Sequence, residues 1–131
     1  MIMTDSLARR ERLALCDLAL SVGPSAPTLC AGWTVQDLVV HLLVREHKPL
    51  AAGGTLVPAL RGLTERASAR LRREPFETLV ERLRTPALLM RAAPVEALVN
   101  TTEFFVHHED VRRAQPSWTP RDLAPADEAT L

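Results

Sequence analysis

The spacing of apolar residues is the feature that most limits what this chain of 131 residues can fold into. Apolar side chains recur at intervals of three and four residues, whereas the alternation that is typical of half-buried strands is hard to find. We therefore predict an all-α fold. Because a chain of this length buries roughly two thirds of its unfolded surface, a single domain needs no disulfide bonds.

Local signals predict where the helices begin and end. The first helix is expected to be capped by Thr4 or Asp5 and to end at Val22, since Gly23 and Pro24 stop it. Further helices are predicted for the arginine-rich stretch that Pro75 interrupts, over residues 76–83, and from residue 95 to about residue 113.

The second helix has the clearest start. Thr34 offers an N-cap hydroxyl and Asp37 follows three residues later, which is close to a capping box. Pro49 is expected to end this helix. The residues between Val22 and Thr34 are predicted to be a connector.

The end of the chain has a different composition. Pro116, Pro120 and Pro125 punctuate a polar segment that has little to bury. We therefore predict a helical bundle over residues 1–115 and a proline-rich tail over residues 116–131.

The charge balance argues against a nucleic-acid partner. Sixteen basic residues offset 16 acidic ones, so no overall field attracts polyanions. The arginines of the third helix are interspersed with Glu65 and Glu74, and no aromatic residue lies between them to stack on bases. We interpret them as a solvated helix face.

Cysteine usage and hydropathy predict a cytoplasmic protein. Cys16 and Cys30 lack a CxxC spacing and are interpreted as free thiols, Cys16 within the core. Asp17 interrupts the apolar stretch near the N-terminus, which argues against a signal peptide. No apolar run approaches the roughly 20 residues that cross a bilayer, so no membrane association is expected.

Glu103 and His107 are the first candidates for chemistry. They lie four residues apart in the last helix, so their side chains point the same way, and Asp110 shares their face. Val99 and Val106 belong to the same stripe, which predicts that this face turns inward. Two arrangements would satisfy the polar groups: a Glu103–His107 hydrogen bond without metal, or a shared metal ion.

Two further histidines, His41 and His108, are candidates for chemistry. His41 lies between Asp37 and Arg45 on its helix, so it is either a half-exposed histidine held by charges or a ligand that lines an open cleft. His108 points about 100° away from His107 and is predicted to lie at the surface or in an interface.

Two segments resemble the signatures of a known family. They are LCAGWTVQDLVVHL (residues 29–42) and EFFVHHEDVRRAQP (residues 103–116). The family is the actinobacterial metal-binding proteins related to the N-terminal domain of mycothiol-dependent maleylpyruvate isomerase, within the DinB-like superfamily. The resemblance extends from the first helix to Arg121 and implies a DinB-like four-helix bundle.

The resemblance also implies a metal site. In the family, a histidine of the second helix and an ExxxH pair of the last helix bind the metal, which matches His41, Glu103 and His107 here. Asp110 matches an aspartate that could orient the His107 ring without binding the metal itself. Zinc is the leading ion, although nickel or iron would suit the same ligands.

The implied activity is thiol chemistry. The family resemblance suggests a mycothiol-dependent isomerase or S-transferase, in which a metal-activated thiolate attacks an electrophilic substrate. Relatives generally extend beyond the last bundle helix, so a truncated form is one expectation for this chain. The alternative is a non-catalytic dimerisation or interaction module with a structural or vestigial metal site, based on Leu98 and Phe105 on the opposite face of the last helix.

Overall fold

The computed structural model describes residues 6–47, 58–86 and 93–131, with side chains for all of these except residues 47 and 93–99. Within these segments the regular structure is helical, which confirms the all-α prediction. The helices are α1 (Leu7–Val22), α2 (Val35–His47), α3 (Arg61–Leu71, preceded by a 3-10 turn at Pro58–Leu60), α4 (Phe76–Arg84), α5 (Ala93–Arg112) and α6 (Pro125–Thr130).

The start of α1 differs from the prediction. The cap is Ser6, whose hydroxyl accepts a hydrogen bond from the backbone N–H of Arg9 at 3.1 Å. Thr4 and Asp5, which were predicted to cap the helix, lie outside the described residues. The predicted end at Val22 is confirmed, because Gly23 adopts a φ of 89° that favours glycine and donates to the carbonyl of Ala19.

The capping box of α2 is confirmed. The backbone N–H of Thr34 donates to Asp37 Oδ2 at 2.9 Å, and the backbone N–H of Asp37 donates to Thr34 Oγ1 at 3.2 Å. The predicted end at Pro49 lies outside the described residues. The connector before α2 contains an isolated bridge between Pro27 and Thr34.

The apolar core lies where α1, α2, α4 and α5 meet. Helix α1 packs mainly along α5, and α4 packs against both α1 and α2. Cys16 is fully buried there, as predicted. The arginines of α3 are exposed, which agrees with the interpretation of a solvated face. The largest fully buried apolar side chains of the core are Leu15, Leu38, Leu42, Leu43, Leu79, Leu83 and Phe104.

A charged pair lies inside this core. The side chains of Arg12 and Glu46 are both shielded completely from solvent, and the guanidinium binds both carboxylate oxygens. Arg12 also donates to the carbonyl of Leu83 at 2.8 Å and lies 4.3 Å from the ring centroid of Phe104. Asn100 donates to Glu46 at 3.2 Å. The pair therefore connects α1, α2, α4 and α5.

The proline-rich segment after residue 115 returns to α1. Arg121 donates to both carboxylate oxygens of Glu11, at 3.0 and 2.7 Å, and Asp127 accepts from Arg10. Glu11 is buried and also bonds to His108 Nδ1 at 2.9 Å. The segment is thus held against α1 by polar contacts, which agrees with its small content of apolar residues. Across the described residues, no helix combines the length and apolar character that a membrane span requires.

We expect Glu46→Ala to destabilise the protein by about 3–5 kcal/mol, because it leaves the buried charge of Arg12 without a partner. Asp127→Ala, which removes a solvent-screened pair at the surface, should destabilise the protein much less. Urea unfolding followed by circular dichroism measures both. A loss for Glu46→Ala as small as that for Asp127→Ala would contradict a central role of the pair.

The free energy of unfolding should depend on pH because the pKa of the buried Glu11 is lowered in the folded protein. Burial raises the pKa of Glu11, but His108 and Arg121 outweigh it and lower the pKa from 4.5 to about 2. The stabilisation is therefore complete above pH 4.5 and is lost as the pH falls towards 2, with a total of about 3 kcal/mol. Urea unfolding between pH 7 and pH 3 should show a smaller pH-dependent loss for Glu11→Gln than for the wild type. An unchanged slope would refute the assignment, and the exposed Glu77→Gln variant is the control.

Candidate metal centre

Three predicted ligands from two helices meet at one point. His41 of α2 lies opposite Glu103 and His107 of α5, and one donor atom from each residue lies within 4.8 Å of the others. Glu103 Oε1 is the common atom, at 3.1 Å from His107 Nε2 and 3.7 Å from His41 Nε2. The Glu103–His107 hydrogen bond, which was the alternative that needs no metal, is therefore present. The approach of His41 adds the third donor.

Local electrostatics favour the anionic form of Glu103. The hydrogen bond from His107 and then the polar contact with His41 lower the pKa of Glu103 far below its usual range, although burial opposes this effect. Arg45 contributes as well, since its Nε lies 3.6 Å from Glu103 Oε1. The carboxylate is thus available as an anionic ligand at any ordinary pH.

The second nitrogen of His107 has its own partner. Nδ1 lies 3.0 Å from Asp110 Oδ2, as the predicted role of Asp110 in orienting the ring requires. Burial lowers the pKa of His107, but hydrogen bonds and charge from Glu103 and Asp110 outweigh it, so that the pKa is raised. In the neutral ring, a proton on Nδ1 bound to Asp110 leaves the lone pair of Nε2 facing Glu103.

The group is open on one side. The side chains of His41 and Glu103 are 27% and 30% exposed. The ring of Trp33, which is itself partly exposed, packs against His41 with a centroid distance of 5.0 Å. Solvent or a small ligand can therefore reach the donors along the aromatic surface.

Sequence reasoning missed Cys30 and Trp33 as neighbours of this site. Both lie in the connector before α2, where the backbone N–H of Trp33 donates to the carbonyl of Cys30 and Gly32 adopts a φ of 79°. The N–H of Leu29 donates to the carbonyl of Asp110 at 3.1 Å, which holds the connector against α5. Cys30 Sγ donates to Asp110 Oδ2 at 3.3 Å. Gly32, in the turn between these two residues, was an available signal.

The predicted orientation of α5 is wrong in two respects. Val106, expected on an inward stripe, is 45% exposed, and the side chain of Val99 lies outside the described set. His108, expected at the surface or in an interface, is buried within the chain against Glu11. The reason is that α5 packs on α1 through the face that contains Phe104 and His108. Glu103 and His107 therefore lie at the edge of the packed face rather than at its centre.

The donor set fits a divalent metal ion. Two imidazoles and one carboxylate form a known ligand set for catalytic zinc, which leaves positions for water or a substrate. The donors come from two helices, and Asp110 orients one of the rings, as in many metal sites. Cys30, His107 and Asp110 form a second group of possible ligands that shares His107 with the first.

Comparisons with protein-family models, curated proteins and solved structures find no match to this chain. The family resemblance of the two segments therefore stays a prediction. The all-helical fold and the two groups of possible ligands stand on the structure itself.

Removing the carboxylate of Glu103 should lower the pKa of His107 in metal-free protein. Glu103→Gln removes the largest of the effects that raise this pKa and leaves the opposing effect of burial in place. An NMR pH titration of the histidine ring resonances, recorded after chelator treatment, measures the change. An unchanged pKa in Glu103→Gln would mean that the pair does not form in solution, and exposed Glu77→Gln provides the matched control.

Proposed function

We propose that this protein binds one divalent metal ion through His41, Glu103 and His107 and uses it to activate a small thiol, with mycothiol as the leading candidate. The activated thiol would attack an electrophilic small molecule, in a transfer or an isomerisation. The observation that carries the proposal is the convergence of three donor atoms from two helices within 4.8 Å of one another.

The partial exposure of the proposed ligands supports a catalytic rather than a structural metal ion. A structural zinc site is closed by four protein ligands, whereas a catalytic site keeps a position for substrate. His41 and Glu103 are partly exposed, and Trp33 provides an apolar wall beside His41. A bound divalent cation would supply the acidity that converts a coordinated thiol into a thiolate at neutral pH.

The residues around the donors hold them in position. Asp110 binds Nδ1 of His107, which directs the other nitrogen towards Glu103. Arg45 lies beside Glu103, and its guanidinium donates to Asn100 Oδ1. Asn100 in turn binds the buried Glu46. Glu103 is therefore placed by contacts that extend from the core.

We also propose that the bundle is of the DinB-like type and that zinc is its physiological ion. The two segments that resemble the family, and the position of the donors on α2 and α5, support this fold. Nickel and iron are the runners-up, because two imidazoles and one carboxylate suit all three ions.

The alternative is a helical interaction module that forms a homodimer. It was based on Leu98 and Phe105, which were expected to give α5 a second apolar face. The guanidinium carbon of Arg121 lies 4.8 Å from the ring centroid of Phe105, so the chain itself covers part of this residue. The side chain of Leu98 lies outside the described set. The metal-dependent function is therefore the better supported of the two.

Metal analysis of protein purified without a histidine tag tests the proposal. We expect about one ion per chain in the wild type, and binding weakened tenfold or more by His41→Ala or His107→Ala, since each removes one of three protein ligands. His108→Gln is the matched control, because it changes a neighbouring histidine that is bound to Glu11 instead. Circular dichroism verifies that each variant is folded. Metal content that neither alanine substitution lowers would refute the site.

Protein in which cobalt replaces the bound ion tests whether mycothiol binds to the metal. Mycothiol should change the visible absorption of the bound cobalt in the wild type, because a thiolate that joins the ligand set alters its electronic spectrum. A spectrum that mycothiol leaves unchanged would reject thiol activation and favour the interaction module.

A further inference from the structure

The two nitrogens of His107 face two different sets of donors. Nε2 faces Glu103 and His41, which form the site proposed above. Nδ1 faces Asp110 Oδ2 at 3.0 Å, and the same oxygen accepts a hydrogen bond from Cys30 Sγ at 3.3 Å. The ring of His107 thus lies between two groups of donors. One group offers nitrogen and oxygen atoms, and the other includes the sulfur of Cys30.

We propose that Cys30, Asp110 and His107 Nδ1 form a second metal position that takes thiophilic divalent ions. Their donor atoms lie within 4.8 Å of one another, and the set combines a thiol, a carboxylate and an imidazole. Thiolate and imidazole ligands favour zinc and softer ions over magnesium, calcium or manganese. The inference shares His107 with the proposed function but requires neither His41 nor Glu103.

The backbone holds Cys30 in place for this role. The N–H of Leu29 donates to the carbonyl of Asp110, and the N–H of Cys30 donates to Thr28 Oγ1 at 3.1 Å. The connector is therefore attached to the last turns of α5, where Asp110 lies. Cys30 is also partly exposed, so an ion can reach it, whereas Cys16 is fully buried in the core.

The chemistry of the ring makes the two positions compete. A neutral imidazole has one lone pair and carries its proton on the other nitrogen. An ion on Nδ1 places the proton on Nε2, where Glu103 accepts it, and an ion on Nε2 places it on Nδ1, where Asp110 accepts it. Binding at the second position also replaces the thiol proton of Cys30, which is released to solvent. We therefore infer that one chain holds one ion, and that the softness of the ion selects the position.

Titration of metal-free protein with Cd²⁺ tests this inference. The protein is treated with a chelator and kept reduced with a phosphine, so that no added thiol competes. The readout is the near-ultraviolet absorption of a thiolate bound to cadmium. We expect this band in the wild type and in His41→Ala with similar Cd²⁺ affinities, and we expect Glu103→Gln to retain the band.

Substitutions of Cys30 and Asp110, in contrast, should remove the band or weaken Cd²⁺ binding. Cys30→Ser, which keeps nearly the same shape, should abolish the band, and Asp110→Asn should weaken Cd²⁺ binding about tenfold or more. Cys16→Ala is the matched control for the second thiol and should retain the band. Circular dichroism verifies that the variants are folded.

Three outcomes would overturn the inference. They are the absence of the band in the wild type, its persistence in Cys30→Ser, and its loss in His41→Ala or Glu103→Gln. The last outcome would make Cys30 an additional ligand of the first site. Failure of the proposed function is read separately, from the metal content of protein purified without added cadmium and from the response of cobalt protein to mycothiol.

Discussion

The ion pair between Arg12 and Glu46 is the constraint on which the rest of the structure depends. Both side chains are fully buried, and a buried charge is tolerated only when its partners have good geometry. Arg12 meets this condition through Glu46 of α2, the carbonyl of Leu83 at the end of α4, and the ring of Phe104 on α5. An arrangement that shifts one of these helices removes one of these contacts from the buried guanidinium. The pair therefore selects one packing of the four helices among those that their apolar faces allow.

The same pair places the candidate metal centre. Glu46 accepts a hydrogen bond from Asn100, whose carbonyl oxygen accepts from Arg45 on the exposed side of the pair. Arg45 then reaches Glu103, the carboxylate that His41 and His107 share. The Asn100 amide therefore donates to Glu46 and accepts from Arg45. These polar contacts join α2 to α5 from the core to the candidate metal centre. The separation of His41 from the ExxxH pair is thus fixed from inside the bundle.

Sequence reasoning succeeded where the signals were local and failed where they were not. The start of α2 and the end of α1 follow from Thr34, Asp37 and Gly23, because caps and left-handed residues act within a few positions. The inward face of α5 could not be predicted in this way, since apolar residues are distributed around that helix and periodicity selects no single face. His108 is buried because it meets Glu11, which lies 97 positions earlier in the chain. Cys30 and Asp110 are separated by 80 positions, so their contact also depends on the tertiary fold.

The contrast between Glu46 and Glu103 explains why a metal site is expected at one carboxylate and not at the other. Glu46 is bound by a guanidinium, which stays protonated under all ordinary conditions and offers no lone pair to an ion. Glu103 lies against two imidazoles as well as the guanidinium of Arg45, and the imidazoles can lose a proton and become ligands without leaving their places. It also lies at the edge of the packed face, where 30% of its side chain is exposed. The buried pair can therefore only hold the fold together, whereas the pair at the edge can exchange its protons for a cation.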